Sequence, residues 1–133
     1  MKRKEWLAVV FLLLLIAVGC KKSPEPTLWE GDILLYYPDE SETGLVQEWY
    51  ETEETDGYKL AAELLQKLSV SPGKNGISAI PESVNLPEVF IEASGLTTLL
   101  FDESYGSVSG VREVLMRAAI VKTLCQTEKI DAV

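Results

Sequence analysis

The chain has 133 residues, enough for one domain, and its 12 lysines and arginines face 21 aspartates and glutamates for a formal net charge of -9. It contains no histidine, which excludes Ser-His-Asp and Cys-His catalytic sets and the common histidine-bearing zinc sites. From Cys20 onward nine cations meet twenty anions, net -11, a surface that repels nucleic-acid phosphates and anionic headgroups.

Lys2, Arg3 and Lys4 open the chain, Leu7 to Val18 is an apolar run, and Ala17-Val18-Gly19-Cys20 closes it. A basic head, an apolar core and small residues are, in that order, the parts of a secretory signal. The run is about 12 residues, whereas a bilayer-spanning helix takes about 20, so an uncleaved membrane anchor is the second reading. Cys20, directly after the small residues, resembles the acylated cysteine of a bacterial lipobox. Residues 1–19 are therefore expected to be a helical lipoprotein signal peptide, with lipid such as palmitate on Cys20. Residues 20–31 would be the lipidated cysteine and a flexible linker, since Lys21 to Thr27 is polar and proline-containing. The domain at 32–133 would then sit at the extracytoplasmic face of a cell membrane, near envelope proteins.

Asp32 to Tyr37 is an apolar strand stopped by Pro38, and Leu45 to Thr52 is a second, the two forming a hairpin with a polar tip. Asp56 is placed to cap a helix over Tyr58 to Leu68, with Tyr58, Ala61, Ala62, Leu65 and Leu68 as its apolar face. Ser71-Pro72-Gly73 ends that helix, and Lys74 to Pro87 is a long loop. Glu88 to Ala93 and Thr97 to Phe101 are strands joined at Ser94-Gly95. After a polar turn, a helix over about Val111 to Gln126 has Val111, Leu115, Ala118, Ala119, Val121 and Cys125 as its expected buried face. Ile130 to Val133 begins a further strand. The order is β-β-α-β-β-α-β, a small α+β domain with its helices on one face of a mixed sheet.

Catalytic equipment is hard to find in this pattern. Ser71-Pro72-Gly73-Lys74 has S-x-x-K spacing, but proline and glycine break the helix start that spacing needs, and no S-D-N or K-T-G partner exists. Asp39, Glu40, Glu42, Glu48, Glu51, Glu53, Glu54 and Asp56 crowd one region, yet a solvated hairpin explains them as well as a glycan-cleaving pair does. A calcium loop counted from Asp39 fails at its twelfth position, where Tyr50 stands in place of glutamate. No enzyme activity, cofactor or metal is expected. Cys125, left alone if Cys20 carries lipid, reads as a buried small hydrophobe. Trp29, Trp49, Tyr36, Tyr37, Tyr50, Tyr58 and Tyr105 are the candidates for a sugar-stacking or protein-binding surface, with core filling the commoner role.

The loop Gly76-Ile77-Ser78-Ala79-Ile80-Pro81 resembles the signature that follows the first helix of GerM-type domains of sporulation and spore germination. The helix Glu113 to Leu124 and the preceding Gly106-Ser107-Val108-Ser109-Gly110 turn are similar to that family's second helix and its Gly/Ser turn. The resemblance runs from about Gly31 to Val133. It implies a noncatalytic envelope module acting through protein contacts, with solute or glycan binding at the cell surface as the alternative, and it leaves oligomerisation open. Two departures stand out. Family members continue the last strand into a glycine turn, so a strand ending at Val133 is expected to be incomplete. Lys122 stands where asparagine is frequent.

Overall fold

The computed structural model describes residues 32–133, and the signal peptide, Cys20 and linker expected over residues 1–31 lie outside them. Strand β1 (Asp32–Pro38) alternates Ile33, Leu35 and Tyr37 into the core. It pairs antiparallel with β2 (Leu45–Glu51), Asp32 opposite Glu51 and Tyr37 opposite Val46. Asp39 closes the tip between them. Its carboxylate accepts from the Thr43 N–H at 2.8 Å and the Thr43 hydroxyl at 2.9 Å, which holds it below the usual carboxylate range.

Helix α1 (Gly57–Leu68) starts as the sequence predicts, with Asp56 Oδ1 accepting from the N–H groups of Tyr58 at 3.1 Å and Lys59 at 3.0 Å. Its buried face is Gly57, Ala61, Leu64, Leu65 and Leu68, so the expected stripe is corrected at two places. Ala62 faces solvent, and so does most of Tyr58, because its hydroxyl reaches sideways to donate to the Ile91 carbonyl at 2.9 Å.

Strands β3 (Glu88–Ile91) and β4 (Thr97–Leu100) form a second antiparallel pair, turned at Gly95, whose φ of +85° suits glycine. A 3₁₀ turn (Glu103–Ser107) leads into helix α2 (Gly110–Leu124). That helix buries Met116, Ala119, Ile120, Thr123 and Leu124. Of the face expected from the sequence only Ala119 is fully buried; Val111, Val121 and Cys125 are exposed. Apolar residues lie all round this helix, so periodicity alone does not fix which side meets the core. The core gathers β1, both helices, the long loop and the segment after α2: Leu35, Leu64, Leu65, Leu68, Ile80, Met116, Leu124 and Ile130 are all fully buried. Each such side chain contributes about 1.5–3 kcal/mol relative to exposure.

The class is α+β, as expected. The strands make two separate two-stranded sheets rather than one mixed sheet. The reason lies at the β1 edge. The outward edge of β1 is occupied by side chains and a loop: the Tyr36 N–H donates to Thr123 Oγ1 at 3.1 Å, the Leu34 N–H to Gln126 Oε1 at 3.0 Å, and Gln126 Nε2 donates back to the Leu34 carbonyl at 2.7 Å. The Ile77 N–H completes the row by donating to the Pro38 carbonyl at 3.0 Å. No strand can pair there. The expected last strand is reduced to one rung, a parallel bridge between Leu96 and Ala132.

Candidate functional site: an open strand edge beside an apolar groove

Hydrogen bonding in an antiparallel pair alternates, and the Glu92 N–H donating to the Leu96 carbonyl at 2.9 Å fixes its phase. Leu96, Thr98 and Leu100 direct their backbone groups towards β3, so Thr97, Leu99 and Phe101 direct theirs away from it. The segment before Val133 uses the first of these positions: the Thr97 N–H donates to the Ala132 carbonyl at 2.8 Å, and the Asp131 N–H to the Gly95 carbonyl at 2.9 Å. Beyond that rung, the Thr97 carbonyl, the Leu99 N–H and carbonyl, and the Phe101 N–H have no partner among the described residues. These groups form a short length of open edge.

A groove of about 790 Å³ runs alongside, within the size range of ligand clefts. Leu99, Phe101, Met116, Ile120 and Val121 give it apolar walls, Val133 lies at one end, and Asp102, Glu103 and Arg117 make a polar rim. Phe101 and Tyr105 stack obliquely, their centroids 5.0 Å apart and their planes at 52°. The Tyr105 hydroxyl donates to Glu113 Oε1 at 2.7 Å and accepts from Arg117 Nε at 3.0 Å, while Arg117 Nε lies 3.7 Å from Glu113 Oε1. Burial first, then the Glu113 carboxylate, raises the Tyr105 phenol above its ordinary value, so it keeps its proton and acts as a donor at neutral pH. Asp102 is drawn below its usual range by the Ser104 hydroxyl and by Asn85 Nδ2, the latter at 2.8 Å. The arrangement suits recognition of an extended apolar segment with backbone groups to share.

The Gly76 to Pro81 loop does structural work at both of its ends. Ile77 covers the β1 edge, and the Ile80 N–H donates to the last-turn carbonyl of α1, Leu68, at 3.0 Å. Between them Arg112 Nη2 donates to the Ser78 carbonyl, while Arg112 Nε lies 3.5 Å from Glu42. Gly76 is packed so closely that an added Cβ would lie 2.7 Å from Pro72 Cγ and 2.8 Å from Val46 Cγ2. A family model described as Germane, sporulation and spore germination, matches residues 34–133, which takes in this loop, both sheets and both helices. The chain belongs to the Germane family. Comparison with curated proteins and with solved structures finds no further match.

The Germane domain does not assemble the aromatics into one surface. Tyr37 is buried, its hydroxyl donating to the Lys67 carbonyl at 3.2 Å. Tyr36 lies under Lys122 and Tyr50 under Lys67, each ammonium 5.0 Å from the ring centre. Trp49 and Tyr58 are exposed on separate elements, and only Tyr105 reaches the groove. Trp29 lies outside the described residues. The acids of the hairpin region are also dispersed: Glu42 meets Arg112, Glu48 accepts from the Gly73 N–H at 3.0 Å, Glu54 from the Asp56 N–H at 2.9 Å, and Asp56 caps α1. No cluster of three or more potential metal-binding acids or cysteines occurs among the described residues. The groove escapes sequence reading because its walls come from β4, the 3₁₀ turn and α2. Thr97-Thr98-Leu99-Leu100 shows no polar/apolar alternation that would mark it locally.

Proposed function

We propose that this protein is a lipid-anchored envelope protein whose Germane domain acts without catalysis, as a docking module in sporulation or germination. The partner contributes an extended apolar strand that lies in the groove and pairs with Leu99 and Phe101, running parallel to β4 as the Asp131–Ala132 rung does. The open edge of β4 carries this reading, because it joins unshared backbone donors and acceptors to an apolar groove. Lipid on Cys20 would confine the encounter to membrane-near partners, the linker reaching at most about 3.3–3.6 Å per residue.

Two variants separate the parts of the proposal. In a strain lacking the protein, complementation with Cys20→Ala tests the tether and complementation with Leu99→Pro removes the central edge donor. Each should fail to restore spore formation or germination, while palmitate labelling is lost in the first variant alone. Full complementation by both would overturn the reading.

A further inference from the structure

The β1–β2 hairpin has a second edge, that of β2, and the hydrogen-bond phase shows which of its backbone groups point outward. The Asp39 N–H donates to the Gly44 carbonyl at 3.0 Å, so Tyr37–Val46, Leu35–Glu48 and Ile33–Tyr50 are the hydrogen-bonded pairs. The residues between them turn their backbone groups away from the partner strand. On β1 these are Leu34 and Tyr36, whose N–H groups Gln126 and Thr123 take up. On β2 they are Gln47, Trp49 and Glu51, and none of their N–H or carbonyl groups has a partner among the described residues. All three residues are exposed, Trp49 at 51%. The open row is longer than the one on β4.

The side chains beside this row say what kind of strand fits it. Gln47, Trp49 and Glu51 share the face turned away from the core, because the core-facing Ile33, Leu35 and Tyr37 stand opposite Tyr50, Glu48 and Val46. On that outer face Glu51 lies directly opposite Asp32, two carboxylates side by side with no cation in ion-pair reach among the described residues. Two cations close to this sheet are committed elsewhere. Lys67 lies over Tyr50 on the core-facing side and Lys122 over Tyr36 at the β1 edge, each 5.0 Å from the ring centre. No cation lies over the Trp49 ring among the described residues. Unlike the apolar flank of β4, the flank of β2 is an aromatic ring and a pair of acids.

We infer that β2 receives an extended peptide strand with lysine or arginine at every second position. The backbone of that strand pairs with Gln47, Trp49 and Glu51 as a third strand of the hairpin sheet, and its side chains alternate between the two faces. Residues two apart rise by about 6.5–7 Å in both strands, so a basic side chain set beside Trp49 puts the next one beside Glu51 and Asp32. The first cation meets the face of the indole and the second the carboxylate pair. Charge favours this occupant over a second copy of the chain, which from Cys20 onward carries a net -11 and would bring its own acids to the same edge. The site belongs to the other sheet from the β4 edge and does not rest on the strand-docking proposal.

The probe is the blocked peptide acetyl-Lys-Val-Lys-Val-Lys-Val-Lys-amide, titrated into the full chain in non-ionic detergent and followed by calorimetry and amide exchange. It should bind and slow exchange at Gln47, Trp49 and Glu51 while leaving the Leu99 amide unchanged. Replacing its lysines with glutamates should abolish binding. So should methylating its backbone nitrogens, which keeps the charge and removes the donors of a strand pair. In the protein, Gln47→Pro removes an edge donor that no internal hydrogen bond uses, and Asp32→Lys with Glu51→Lys reverses the carboxylate pair. Each should bind the peptide at least ~10-fold more weakly, and Trp49→Leu about 3-fold more weakly, the scale of one exposed cation–π contact. Circular dichroism checks that each variant is folded. No binding of the lysine peptide, protection of Leu99 in place of the β2 amides, or binding that survives methylation or the proline and lysine variants would overturn the inference. Slowing of the same amides with rising protein concentration and no peptide would do so too, since a second copy would then hold this edge.

Discussion

The outward edges of β1 and β4 occupy equivalent places in two small sheets, and the chain treats them in opposite ways. Along β1 the outward Leu34 N–H and carbonyl, the Tyr36 N–H and the Pro38 carbonyl are satisfied, by Gln126, Thr123 and Ile77. Along β4 the covering stops after one rung, at Thr97. A buried threonine stands on each edge, and their fates summarise the contrast. Thr123, fully buried, spends its oxygen on the Tyr36 N–H, whereas the Oγ1 of buried Thr97 has no partner among the described residues. An edge closed by side chains is finished structure, and an edge left with unshared backbone groups is a place where binding can still lower the free energy.

The strongest way to break the closed side is Gly76→Val. The added carbons meet Pro72, Val46 and the Pro38 carbonyl, so the loop must leave the β1 edge; a loss of about 3 kcal/mol, seen in urea unfolding, is the expected outcome. Alkaline titration comes next. Burial, then the charge on Glu48, pushes the Tyr37 phenol up to about 12. Folded and unfolded chains are both protonated at this site below pH 10, so its contribution is intact there. As pH rises from 10 towards 12 the unfolded chain releases the proton first, and stability should fall by about 2 kcal/mol, a fall that Tyr37→Phe removes.

The two threonines supply a sign test of smaller size. Thr123→Val strands the Tyr36 N–H against a methyl group and should destabilise by about 1–2 kcal/mol. Thr97→Val deletes an unpartnered buried oxygen, so it should be neutral or stabilising by up to about 1 kcal/mol. Equal losses from both would show the edges to be alike. Amide exchange gives the finest resolution: the Leu34 and Tyr36 amides should exchange only through larger openings, while Leu99 should exchange far faster, as befits an N–H without a partner.

Much of this architecture was legible before the structure. Pro38, Asp56 and Ser71-Pro72-Gly73 mark element ends through chemistry confined to a few neighbouring residues, and the two hairpins and two helices lie where those signals put them. The faces of the helices were harder. Leu64 was absent from the predicted stripe, and α2 carries valines opposite methionine and isoleucine, so both of its sides satisfy a periodicity rule. The absence of a single sheet was not legible at all, because it depends on Gln126 reaching Leu34 across 92 residues of sequence. The same holds for the groove, whose walls are assembled from three elements. Cys125 was misplaced for a simpler reason: it lies just past the end of α2, as its C-cap, where the helix no longer dictates which side is shielded.

The long reach of Gln126 also bears on how the protein is made. The first hairpin emerges early from the ribosome, but Thr123 and Gln126, which cover much of its outer edge, follow 87 and 92 residues after the groups they meet. Throughout that interval a hydrophobic ribbon with raw amides is on offer to neighbouring nascent chains, and a holding chaperone has its clearest target there.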